Sequence, residues 1–216
     1  MNISYTEKNK GKFIVIEGID GCGKGTQISL LYNKLIKSGI PVKQTAEPTN
    51  TTVGGIIRDA LSGRLELTIP ELAALFMADR VTHNINSFDG IKMTLEDGFN
   101  IICDRYYYSS FAYQGLDCDM QWVMDINLKC PDIMKPDLCI FLDLPADISK
   151  KRMKNANRNL ELYEKDVKKS EQIRNNFYKV FEILKNTQNI KIIDANRPCN
   201  VISDEIYNCV IDIINS

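Results

Sequence analysis

The segment FIVIEGIDGCGKGT, residues 13 to 26, constrains this chain more than any other. A continuous apolar run leads into a glycine-rich turn, and residues with helical spacing follow. Gly18, Gly23 and Lys24 match G-x-x-x-x-G-K, the core of a phosphate-binding loop, in the strand–turn–helix setting that the motif requires. Glycines let successive N–H groups turn toward one point, with a helix N-terminus behind them, and the lysine adds a point charge near the β- and γ-phosphates. Gly18, Ile19, Asp20, Gly21, Cys22, Gly23, Lys24, Gly25 and Thr26 are therefore the candidate nucleotide-phosphate site. A glycine-rich turn without a ligand is the bland reading, and Lys24 with both correct flanks weighs against it.

A strand of this kind needs neighbours. Further apolar runs lie at about 41–45, 99–104, 138–144 and 190–194, and most are continuous rather than alternating. That pattern suits strands buried on both faces of a parallel sheet. Helical spacing separates them: 26–38, a segment from Pro70 through Phe76 and Arg80 to about Phe88, and Val201–Ile214. The expectation is an α/β fold, a five-stranded parallel sheet with helices on both faces. No repeat, low-complexity tract or linker divides residues 1–216, so one domain is expected.

Composition narrows the class. With 27 basic and 28 acidic residues the net charge is −1, which argues against a nucleic-acid binder. No apolar run approaches the roughly 20 residues that span a bilayer. The polar start MNISYTEKNKGK lacks the apolar core of a secretory signal. Seven Cys, without a C-x-x-C pair, fit neither a disulfide framework nor a four-Cys zinc site. A cytoplasmic protein is expected. The basic set divides into 19 Lys and 8 Arg, so each Arg invites a question, because only Arg offers a rigid bidentate fork.

The second chemical signal is FNIICDRYYYSSFAYQG, residues 99 to 115. Asp104 ends an apolar strand, where ligands bind in open α/β sheets. A carboxylate there suits Mg²⁺ held through water, and Arg105 beside it suits a phosphate. Capping of the next helix is the structural alternative for Asp104. Gly25 stands where the usual phosphate loop has its Mg²⁺-binding hydroxyl, which arrives one place later at Thr26. Adenylate kinases resemble the chain here, with the same G-K-G-T. The metal is accordingly expected on phosphates, water and a distant carboxylate.

These motifs together resemble the bacterial thymidylate kinases, P-loop nucleoside monophosphate kinases that use ATP and Mg²⁺ to convert dTMP to dTDP. EGIDGCGKGTQ, AEPTNTTVGGIIR, ALFMADRVTH, DRYYYSSFAYQG and KPDLCIFLDL are similar to family motifs in order along nearly the whole chain. The resemblance implies that Asp20 bonds the deoxyribose 3′-hydroxyl, Phe76 stacks on thymine and Arg80 donates to its O4. Phe76 and Arg80, four apart, share a helix face. From spacing alone Phe76 reads as core. Ser109, Ser110 and Gln114 are implied near the substrate, Tyr113 crowds C2′ and favours deoxyribose, and Arg58 with Arg105 grips the substrate phosphate. Glu47 and Pro48 match the pair whose bend shapes that pocket. His83 reads as a helix-surface or packing group. A homodimer is implied by the family alone.

Three departures stand out. Ala46 replaces the Arg before Glu47–Pro48, and Thr49 and Asn50 replace the following glycines. Gly21 and Cys22 occupy the stretch where one class of the family carries a loop Arg. The other class supplies cations from a flap over ATP, and the basic segment Lys150–Arg158, within a flap of about 150–163, occupies that place. By composition alone it is either a solvated helix end or a mobile flap. Its familiar D-R pair appears as Glu161–Leu162, so Lys24, Arg105, Arg152 and Arg158 are the candidate catalytic cations. Five of the eight Arg are thereby expected at one cleft, with Arg64, Arg174 and Arg197 left as surface charge. A kinase for another nucleoside monophosphate is the alternative. A nucleotide-dependent switch is a third reading, although no N-K-x-D guanine signature is present.

Overall fold

The five apolar runs are strands in the structure, a computed structural model that describes residues 10–155 and 166–216. They are β1 (Phe13–Glu17), β2 (Val42–Ala46), β3 (Asn100–Asp104), β4 (Leu138–Asp143) and β5 (Ile190–Asp194). Around them stand α1 (Lys24–Lys37), α2 (Thr52–Leu61), α3 (Ile69–Ile85), α4 (Ile91–Glu96), α5 (Tyr107–Asp117), α6 (Met120–Leu128), α7 (Ala146–Asn155), α8 (Val167–Leu184) and α9 (Cys199–Ile214). Among the described residues, no helix is long and apolar enough to cross a membrane.

The strands form one parallel sheet in the order β2-β3-β1-β4-β5. From β1 the chain moves one way along the sheet to β2, and from β3 it moves the other way to β4 and β5. Right-handed crossovers therefore place α1 on one face and α5 to α8 on the other. Packing follows this division, with α1 against α9 and α5 against α8. Central β1 is wholly buried, as its unbroken apolar run predicts, while edge strands β2 and β5 expose Lys43, Gln44, Lys191 and Ile192.

Helix limits differ modestly from the spacing. Helix α1 begins at Lys24, two residues early, because Gly23 in a left-handed conformation (φ 100°) ends the loop directly at the helix. Helix α3 stops at Ile85 rather than near Phe88. Its start is fixed by a capping box in which Thr68 and Glu71 satisfy each other's backbone N–H groups, with Pro70 in the first turn.

The reversal of direction at β1 puts the carboxyl ends of β1 and β3 at a topological switch point, where open sheets bind ligands. The register pairs Ile16 with Asp104, and the Arg105 N–H donates to the Ile16 carbonyl at 3.0 Å. Two segments far apart in sequence, the phosphate loop and the Asp-Arg turn, thus leave the sheet side by side.

Candidate active site

A cavity of about 500 Å³ opens at this point. Nearly all the sequence-predicted site residues line it, from Asp20 and Lys24 to Arg58, Phe76, Arg80, Asp104, Arg105 and Gln114. Gly18, Ile19, Cys22 and Arg152 do not. Arg158 lies outside the described residues, as does the Glu161–Leu162 pair.

The phosphate loop is held from within and from α7. The Lys24 ammonium donates to the carbonyls of Gly18 and Ile19 at 3.0 and 3.2 Å, and Asp20 lies 4.0 Å away. Gly21 has φ 78°, and a Cβ there would meet Ser149 Oγ and Met153 Cγ of α7, both at 2.8 Å. Ser149 also donates to the Asp20 carbonyl. An Arg at this point of the loop would collide with α7, which gives the departure from the loop-Arg class a steric reason. Cys22 faces the core, and burial pushes its thiol pKa up, so it contributes backbone rather than sulfur chemistry.

Arg105 is the electrostatic centre of the cleft. Its guanidinium pairs with Asp20, donates to Ser109 Oγ at 3.1 Å and lies 5.1 Å from the Tyr113 ring centre. Burial works against its charge, but Asp20 above all, then Tyr113, Asp104 and Glu17, push its proton affinity well above the ordinary. The Tyr113 phenol donates to the other Asp20 oxygen at 3.1 Å, and burial keeps that phenol protonated. Asp104 has one carboxylate oxygen buried without a hydrogen-bond partner. An orphaned anionic oxygen at a strand end, beside a phosphate loop, fits a cation or its bound water.

On the opposite wall, Glu47 and Arg80 form a buried pair, with Nε and Nη2 of Arg80 at 2.8 and 2.6 Å from one Glu47 oxygen. Arg80 also donates to Asn127 Oδ1 at 2.5 Å and Ser110 Oγ at 3.2 Å. The second Glu47 oxygen lies 3.0 Å from His83 Nδ1, while His83 Nε2 lies 2.6 Å from Thr45 Oγ1. Of the two readings of His83, helix surface and packing, its burial agrees with packing, and its two hydrogen bonds make it a brace between α3, Glu47 and β2. Phe76 is half-buried at the rim of the small α2–α3 core of Ile57, Ala60 and Leu72, with a face left for the cavity.

The altered loop after Pro48 proves to be tied down by residues that sequence reasoning missed. The buried Asp79 accepts from Thr49 N–H at 2.7 Å, Thr49 Oγ1 at 2.6 Å and Thr51 Oγ1 at 2.9 Å. Thr49 thus uses its side chain for anchorage where the family pattern has a glycine. Arg58 donates to the Thr49 and Pro48 carbonyls at 2.6 and 3.2 Å. Asp79 was findable only as a carboxylate on the same helix as Phe76 and Arg80.

The Arg distribution needs correcting. Arg58, Arg80 and Arg105 line the cavity, whereas Arg152 is exposed and donates to the Ala195 carbonyl after β5 at 3.1 Å. Arg174 is not plain surface charge. It clamps Asp143 at 2.6 and 2.9 Å and Glu171 at 2.8 Å, and the Asp143 hydrogen bond raises its proton affinity.

Comparison with known proteins meets this geometry. A family model described as thymidylate kinase matches residues 16–206. A "Probable thymidylate kinase" of Thermococcus gammatolerans is 38% identical over 209 residues, covering 93% of this chain and 96% of that protein. A "Thymidylate kinase" of Fervidobacterium nodosum is 35% identical over 207 residues, covering 94% and 98%. A match of that length carries the phosphate loop, the Asp-Arg turn and both walls of the cavity together, and the chain belongs to the thymidylate kinase family.

Proposed function

We propose that the chain transfers the γ-phosphoryl group of ATP to dTMP, giving dTDP and ADP. The observation that carries this reading is that one cavity brings the phosphate-loop lysine and two further phosphate-competent cations, Arg58 and Arg105, together with a half-buried aromatic and a buried Arg. The attacking phosphate oxygen of dTMP is already ionised, so no general base is required. The barrier is the approach of two anions, which positioning and cations lower.

Each residue has a task in this reading. Lys24 and the loop N–H groups hold the ATP phosphates, and Arg105 with Arg58 holds the dTMP phosphate. Phe76 stacks on thymine. Arg80 offers a donor to O4: Glu47 through Nε and Nη2, Asn127 through Nη1 and Ser110 through Nη2 engage four of its five N–H groups, and one on Nη1 is left to give. Gln114 and Ser110 border the base, and Asp20 takes the 3′-hydroxyl. Tyr113, fixed by Asp20, excludes a 2′-hydroxyl. Asp104 would hold Mg²⁺ through water, near Thr26. When bound, the metal neutralises charge on the β- and γ-phosphates. Arg152 and Arg158 are the proposed flap cations over ATP, with the flap at about 150–163 of one nucleoside monophosphate kinase domain. A homodimer in the cytoplasm follows from the family resemblance, and the near-zero net charge supports small-molecule substrates rather than nucleic acid.

A panel of dTMP, dUMP, UMP, CMP and AMP, each with ATP and Mg²⁺, tests the assignment. Highest kcat/KM with dTMP is expected, and preferred turnover of a ribonucleotide would overturn it. Within the same reading, Asp79→Ala frees Thr49 and Thr51 and loosens the loop that leads into α2 and accepts from Arg58. The expected result is a KM for dTMP raised roughly tenfold, equivalent to about 1.4 kcal/mol, with the KM for ATP nearly unchanged. Steady-state kinetics with each substrate varied in turn checks it.

A further inference from the structure

Arg105 is, among the described residues, the one non-glycine residue with positive φ, at 68°. The chain must leave β3, turn sharply and enter α5 while aiming that side chain into the cleft. An Arg in the left-handed region persists only where its surroundings over-determine it. Two backbone contacts help: the Arg105 N–H donates to Ile16, and its carbonyl accepts from Cys103 Sγ at 3.0 Å. Yet the residue that caps α5, Tyr106, supplies no side-chain hydrogen bond to the helix.

The missing cap comes from another strand. Glu17, the last residue of β1, is completely buried. One of its oxygens accepts from the Tyr106 N–H at 2.9 Å and the Ser109 N–H at 3.1 Å. These are the two backbone donors that a capping box satisfies, met here by a carboxylate 89 and 92 positions away. A capping function alone would use only that oxygen. The second oxygen accepts from Ser109 Oγ at 2.7 Å, and Ser109 Oγ accepts in turn from Arg105 Nη1 at 3.1 Å.

We infer that Glu17 is a positioning residue for phosphoryl transfer: it caps α5 and, through the Ser109 hydroxyl, holds the Arg105 guanidinium in the cleft. The inference rests on the reading that Arg105 grips phosphate. Burial pushes the Glu17 carboxyl pKa up, and Arg105 is the strongest of the groups that oppose the rise, which ties the two electrostatically. Arg105 therefore has two anionic supports. Asp20 faces the cleft and is assigned to the sugar, whereas Glu17 is sealed beneath the loop and stays with the arginine. A carboxylate near the N-terminus of α5 also suits the helix dipole.

A double-mutant cycle tests the coupling. Ser109→Ala leaves one buried Glu17 oxygen without its donor, so it is expected to lower the melting temperature by a few degrees and kcat roughly tenfold. Glu17→Gln keeps an oxygen for the backbone donors but loses the acceptor for the hydroxyl, and should lower kcat on the order of 10²-fold. In an Arg105→Ala background, neither change should lower the residual single-turnover rate by more than about twofold. Losses that multiply in that background would show a merely structural role and overturn the inference. Should Glu17→Gln fail to fold, the Ser109→Ala arm decides alone. A readout independent of turnover is the side-chain N–H signal of Arg105 in NMR. Slow exchange in wild type and clearly faster exchange in Ser109→Ala is expected, and equal exchange would overturn the link. A wild-type chain that makes no ADP with dTMP would defeat the kinase reading and leave this exchange measurement to judge the coupling.

Discussion

Arg105→Ala is expected to lower kcat for dTMP phosphorylation by at least about 10³-fold, the scale on which a phosphate-directed arginine acts in phosphoryl transfer. The side chain supplies a planar, permanently charged fork in the cleft, and the other two cations assigned to phosphates do not stand in for it: Lys24 belongs to the ATP side, and Arg58 reaches the site from α2 while bonded to the Pro48 and Thr49 carbonyls. Backbone strain complicates the substitution, because Ala at φ 68° is unfavourable. Arg105→Gly removes that complication, since glycine adopts this conformation freely. Both variants should lose activity to a similar degree, with Arg105→Gly no less stable than Arg105→Ala. Single-turnover rates and thermal melts on the pair separate lost charge from lost geometry. Substantial activity in Arg105→Gly would remove the arginine from the chemistry.

Glu47→Ala should be the most damaging change for stability. It leaves Arg80, 1% exposed, without its carboxylate, and His83 without its Nδ1 partner. Breaking a buried pair from one side costs about 3–5 kcal/mol, because an uncompensated charge stays in the interior. For a chain of this size that corresponds to a fall in melting temperature of roughly 6–20 °C. The exposed Arg64–Asp59 pair, at 2.6 Å, provides the contrast. Arg64→Ala should change stability by about 0–1 kcal/mol, since solvent screens such pairs. Denaturant titration of the two variants in parallel measures the difference.

The parts of this site that were legible in the sequence are those whose partners lie next to each other along the chain. The phosphate loop needs a strand, glycines, a lysine and a helix in immediate succession, and the Asp-Arg turn needs only a strand end. The α/β fold followed from continuous apolar runs at spacings that leave room for helices. The walls of the cavity were less legible because their partners are remote. Glu47 meets Arg80 across 33 positions and Thr49 meets Asp79 across 30, so neither pairing leaves a periodic trace. His83, on a helix, gave no sign of its two remote partners, Glu47 and Thr45. Arg174 looked like surface charge because nothing local marks Asp143, at the end of β4, as its counterion. Family resemblance supplied roles for Phe76 and Arg80 where spacing alone offered only core and charge. It did not supply Glu17, whose three acceptor contacts exist only once β1 and β3 lie side by side.

The central claim is that one cleft holds thymine, deoxyribose and the receiving phosphate at assigned residues. A crystal structure of the chain with dTMP tests it most directly. The predicted result is thymine stacked on Phe76 with O4 at Arg80, the 3′-hydroxyl at Asp20, C2′ against Tyr113, and the phosphate between Arg58 and Arg105. A dTMP molecule bound with its phosphate in the loop at Lys24, or with its base away from Phe76 and Arg80, would contradict it.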